Sequence, residues 1–174
     1  GEAFVAIEAD SAPDFIIAGA DGIGYGRFVL DDRSRTALLT GIHELQNPIH
    51  RAVVWQTLWE EVLDATVTPM EFVAAATLAV ERESDELVAQ QVLGLLRHAY
   101  WQFLSESERR QISTDIETVL WEALDQAPTP GRKGAYFNAL LSMTLSEEGI
   151  SRLEAIWRGD ETPAGLPLQE QQFI

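Results

Sequence analysis

Cysteine is absent from the 174 residues, which removes disulfides, thiol nucleophiles and thiolate zinc sites together. The compartment stays open on that ground, because a secreted chain need not carry disulfides. Basic residues are scarce, 12 against 28 acidic, for a formal net charge of -16. Such a surface repels polyanions, so neither nucleic acid nor an anionic membrane is an expected partner. No apolar run approaches the ~20 residues needed to cross a bilayer, and no basic segment followed by an apolar core marks a leader. The expectation is a soluble protein, taken as cytoplasmic. What is there is ordinary for a globular chain of one domain, with 46% hydrophobic and 23% charged residues. The chain starts GEAFVAIEAD without an initiator Met and stops on LPLQEQQFI. Both ends are expected to be internal to a longer protein.

The first thirty residues differ in texture from the rest. Phe4-Val-Ala-Ile-Glu8, Phe15-Ile-Ile-Ala18 and Arg27-Phe-Val-Leu30 are short, rich in apolar residues and bounded by turn signals, which predicts strands. Three such strands make no independent sheet, so they are expected to complete one formed elsewhere. From Asp31 the apolar period becomes helical. Asn47-Pro48 is a cap and first-turn proline ahead of a face through Val54, Trp55, Leu58, Trp59 and Val62. Thr68-Pro-Met-Glu71 and Ser105-Glu-Ser-Glu108 have the spacing of capping boxes. Ser84-Asp-Glu86 opens what reads as the longest helix, Gln126 to Gly131 is a break, and Ser146 to Trp157 is a last helix closed by Gly159. The resulting division is a short β segment over 1–30, the end of a β-sandwich, and a helical domain over 31–174. The fold class is mainly α, an irregular HEAT-like α-solenoid of about seven helices, with a closed bundle as the competing arrangement.

Residues that carry chemistry form no recognised set. His43-Glu-Leu-Gln-Asn47 has Asn where an H-E-x-x-H zinc site needs its second His, and His50 lies beyond a proline. His98 stands alone inside a helix. Gly-x-Ser-x-Gly is missing, and acid pairs such as Glu60-Glu61 and Glu147-Glu148 read as solvated helix faces and dipole partners. The five tryptophans, Trp55, Trp59, Trp101, Trp121 and Trp157, fall within predicted helices and read as core packing. Catalytic, cofactor-binding and metal residues are therefore expected to be none.

The glycine-rich stretch Asp21-Gly-Ile-Gly-Tyr-Gly-Arg-Phe28 also falls short of a phosphate loop. Its spacing is G-x-G-x-G, no helix follows directly and no Gly-Lys-Ser/Thr is present. Glycines at alternate positions are expected to supply positive φ or close approach, so Gly22, Gly24, Tyr25, Gly26 and Arg27 form a structural junction turn.

With Asp14 to Asp31 in view, the chain resembles zinc aminopeptidases of the aminopeptidase N type, the gluzincin aminopeptidases. In that family a similar apolar strand, a polar turn, a Tyr-Gly-containing stretch and a short strand ending in Leu-Asp join a β-sandwich to a C-terminal helical domain. Trp55-Gln-Thr-Leu-Trp59, Thr144-Leu-Ser-Glu-Glu-Gly149 and Trp157-Arg-Gly159 extend the resemblance. The family's usual Asn at the start of the turn is Gly19 here. Its Gly-x-Met-Glu-Asn segment, zinc motif and oxyanion Tyr are not in this sequence, and Tyr25 belongs to the junction. The resemblance implies a non-catalytic domain that shapes and closes the peptide chamber of an enzyme removing N-terminal residues from peptides. Its partners would be the catalytic domain of the same parent chain, which would hold zinc, and the peptide substrate. A free-standing HEAT-like interaction module is the alternative. An autonomous small enzyme using His43, His50 or His98 is the third.

Overall fold

The computed structural model describes residues 11, 13–22, 26–163 and 166. Among the described residues seven α-helices follow one another with short connections: α1 (Asp32–Gly41), α2 (Pro48–Leu63), α3 (Pro69–Arg82), α4 (Glu86–Gln102), α5 (Glu106–Gln126), α6 (Pro130–Met143) and α7 (Glu147–Arg158). A short 3-10 turn, Ile42–Glu44, lies between α1 and α2. The fold is mainly α, as the helical period requires.

The helix starts lie where local chemistry satisfies orphan backbone donors. Asn47 accepts from Ile49 N ahead of Pro48, and Thr68 and Ser105 each close a full capping box with the glutamate three residues on. Asp85, rather than Ser84, caps α4, because its carboxylate accepts from both Leu87 N and Val88 N. The longest helix is α5 at 21 residues, and α4 has 17. Gly159 ends α7 in the left-handed conformation, φ 80°.

One of these caps makes a pH-dependent prediction. The Thr68 hydroxyl and then the Thr68 backbone N–H donate to Glu71, holding its carboxyl below the usual 4.5. A folded-state pKa below the unfolded one contributes stability that is complete above pH 4.5 and is lost as pH falls through the folded value. Glu71→Gln should therefore melt about 2 °C below the parent chain at pH 7. That gap should close in melts carried below pH 4, and a constant gap would show that the carboxylate charge contributes nothing.

The runs at 15–18 and 27–30, expected as strands, form no strand among the described residues; 4–8 lies outside them. The reason is where their backbone donors go. Ile16 N donates to Ser34 Oγ on α1 at 3.0 Å, and Leu30 N donates to Glu61 Oε1 on α2 at 3.0 Å. Helix side chains take the place of a neighbouring strand, and Phe15 and Ile17 pack on the helical core.

The helices pack in pairs, α1 with α2, α3 with α4, and α5 with α6. Next-but-one helices also touch, so α1, α3 and α5 form one layer and α2, α4 and α6 the other. Trp55, wholly buried, meets Phe72 edge-on at 5.7 Å between ring centroids, and Trp59 does so at 5.6 Å. Their expected core role is met. Trp157, 65% exposed, and Trp101, 39% exposed, are not core.

Candidate functional site

The expected junction turn lies against α2. Gly22 N donates to Gly19 O at 2.8 Å, and both glycines have positive φ, 67° at Gly19 and 70° at Gly22. Gly19 is constrained twice, because a Cβ there would lie 2.9 Å from the Phe28 ring. An Asn, which also tolerates this backbone, would have to displace Phe28. Among the described residues, a Cβ on Gly26 would meet nothing within 4 Å. Gly24 and Tyr25 lie outside the described residues.

Gly22, Gly26 and Arg27 come together on one wall of a cleft of about 660 Å³, opposite Val53, Gln56, Glu60, Leu63 and Asp64 of the α2 side. Arg27 pairs with Asp64 across it, and Arg33 pairs with Asp14 at 2.8 Å on the far side of the turn. Beneath them Arg35 Nε donates to Glu61 Oε2 at 2.6 Å while its Nη2 donates to Leu30 O. The Glu61 carboxylate, 3% exposed, thus binds both the strap and the helix that follows it. Glu61 was expected on a solvated face; the strap arriving from thirty residues upstream buries it. This cluster fastens residues 13–22 and 26–30, the strap, to the helices, and its polar groups are spent on one another.

His43 and His98 have partners elsewhere, and half-buried His50 does not join them. His43 Nε2 accepts from Arg82 Nη1 at 2.8 Å, and the exposed His98 ring lies 5.1 Å from Trp59. Among the described residues no three His, Asp or Glu gather where a metal ion would sit, so the residues present do not fit a zinc site. Tyr100 is buried, and that burial pushes its hydroxyl up to about 12, with the Glu117 charge adding to the effect. It holds its proton through the neutral range. Among the described residues no helix is long and apolar enough to cross a membrane.

The chain is similar to Aminopeptidase N from Streptomyces lividans. The two are 21% identical over 160 residues, which is 91% of this chain but 19% of that protein. The chain thus spans about a fifth of the relative's length. No family model matches it. The similarity runs through the strap and nearly the whole helical stack, so it relates the chain to one region of a much larger peptidase. Sequence reasoning missed Glu61, Glu83 and Glu117 as buried anchors. Their long-range partners lie about thirty residues away, upstream for Glu61 and Glu83 and downstream for Glu117, so nothing beside them in the sequence marks them.

Proposed function

We propose that the chain is a non-catalytic helical domain of a zinc aminopeptidase that removes N-terminal residues from peptides, and that its stacked hairpins wall and close the peptide chamber. The observation that carries this reading is the match to Aminopeptidase N across 91% of the chain and only 19% of that protein. A domain of that kind needs a rigid wall and a firm joint to what precedes it. The two-layer stack suits the first need, and the Arg35–Glu61 and Arg27–Asp64 pairs that hold the strap suit the second. The catalytic domain of the parent chain would supply the zinc, the base and the amine-binding carboxylates, and peptide would be the shared ligand.

The test uses the complete reading frame. It should encode H-E-x-x-H ahead of residue 1, and its product should cleave aminoacyl-amides. Removing residues 31–174 should cost activity on a ten-residue peptide at least tenfold more than on a dipeptide amide. Equal losses on both, or a frame without the zinc motif, would overturn the reading. Zinc-dependent hydrolysis by the 174 residues alone would also overturn it.

A further inference from the structure

In a chain of net charge -16, nearly every cation should be claimed, and the described residues include all twelve lysines and arginines. Arg27, Arg33, Arg35, Arg51, Arg110, Arg152 and Arg158 pair with carboxylates. Arg82 is on His43, Arg109 and Arg132 bind backbone carbonyls, and Lys133 is also engaged. Arg97 has no hydrogen bond, ion pair or ring contact among the described residues. It lies exposed on α4, at the edge of a groove of about 150 Å³ between α4 and α6.

Two further observations meet at that groove. Gly94 sits inside α4 one turn before Arg97, with no packing reason to be glycine: a Cβ there would meet nothing within 4 Å. Glycine in a helix interior is less stable than alanine, so the open space above Gly94 is kept at a cost to the helix. Beside Arg97 the lining adds two side-chain amides able to donate, Gln90 of α4 and Asn138 of α6, between apolar Leu93, Ala135 and Ala139. The surrounding charge also has the right sign. α6 contains no acid, and the one acid of α4, Glu86, accepts from Thr129 Oγ1 at the far end of its helix. The exposed acids Glu106, Asp115, Glu122 and Asp125 belong to α5, in the opposite layer.

We propose that the α4–α6 groove binds an acidic side chain of an extended peptide segment, with Arg97 as its counter-ion and Gly94 as the floor that admits it. A guanidinium beside amide donors is suited to a carboxylate. The volume takes one such side chain and little more. Leu87, 76% exposed, and Trp101, 39% exposed, flank the groove along α4 and offer apolar contact to residues on either side of the acid. They are fourteen residues apart, about 21 Å of helix, and seven extended residues span about 23 Å. Repulsion from the distant acids is screened beyond about 8 Å at physiological salt. The proposal concerns this chain by itself and stands independently of any catalytic domain.

The probe is a heptapeptide with one central glutamate and terminal leucines, acetylated and amidated so that the side chain is its only carboxylate. Titrated into the ¹⁵N-labelled 174-residue chain, it should shift the amides of Gly94, Arg97 and Asn138 saturably, with a dissociation constant on the order of 1 mM or tighter. The glutamine version should bind at least tenfold more weakly, and Arg97→Gln should lose the same factor for the glutamate peptide. Gly94→Ala should melt about 2 °C higher than the parent chain while binding at least threefold more weakly, which no folding defect can produce. Equal binding of the two peptides, unchanged binding by Arg97→Gln, or no saturable shift would overturn the proposal. So would preference for a glutamine peptide with a free C-terminal carboxylate over the amidated glutamate one.

Discussion

Replacing Arg51 by alanine is expected to cost about 3–5 kcal/mol of folding stability, since one member of a buried ion pair is removed and its partner left behind. Arg51 and Glu83 are each only 6% exposed, and they meet in two parallel contacts, Nε to Oε2 at 2.8 Å and Nη2 to Oε1 at 2.6 Å. Foremost through the Glu83 hydrogen bonds, the guanidinium pKa is raised above its ordinary value, so this arginine is charged at every accessible pH. Its remaining donor goes to the carbonyls of Leu45 and Gln46, just ahead of α2. Glu83 in turn accepts from Asp85 N at the start of α4, and Arg132 of α6 donates to the Glu83 and Ser84 carbonyls from the other side. Three helix junctions converge on this one pair.

The same geometry predicts a rescue. Arg51→Met with Glu83→Leu removes both charges and their desolvation cost together, and fills similar volume. The double variant should lose at least about 2 kcal/mol less than the sum of the Arg51→Met and Glu83→Leu single losses. It should not return to the parent value, because Leu45 O, Gln46 O and Asp85 N lose their partners. Urea denaturation of the two single variants and the double measures this. Additive losses would mean that the pair, however close, is not coupled.

What could be read from the sequence divides by range. Asn47, Thr68 and Ser105 act on backbone donors two or three residues away, so their roles were legible from the letters beside them. Gly159 was legible for the same reason. Gly149 was not, because its demand comes from a side chain thirty-two positions upstream. Glu60 and Glu61 look alike in sequence; only the arrival of Leu30 and Arg35 makes the second a buried anchor. Trp55 and Trp157 share helical settings, and their opposite fates depend on whether another helix lies over them. Arg97 is the extreme case. Its distinction is having no partner, which is known only after every other cation has been placed. Zinc chemistry, by contrast, was expected outside these residues from the resemblance alone.

Replacing Glu117 by alanine is expected to release α7 before the rest of the stack. Glu117 sits mid-way along α5, 3% exposed, and its carboxylate accepts from Leu145 N at 2.8 Å, Ser146 N at 3.0 Å and the Ser146 hydroxyl. Ser146 Oγ then accepts from Gly149 N, so the cap of α7 is itself oriented by a residue of α5. The fit leaves no slack: a Cβ on Gly149 would lie 2.2 Å from Glu117 Oε2 and 2.6 Å from Thr144 Cγ2. Beyond this, α7 is joined to the stack mainly by buried Ile156 and by Arg152, whose guanidinium stands 3.8 Å over the Trp121 ring. Losing charge-assisted bonds and stranding two backbone donors should cost about 3 kcal/mol. With so few other attachments the loss should appear as local opening. Amide exchange in α7 should accelerate by about a hundredfold while that of α3 and α4 stays near the parent rate. Glu117→Gln keeps an acceptor for the two N–H groups and should lose roughly half as much. Gly149→Ala strains the same contact, so combining it with Glu117→Ala should cost less than the sum of the two. Unchanged exchange in α7 of the Glu117→Ala chain would show that Ile156 and the Arg152–Trp121 contact hold the helix without its anchor.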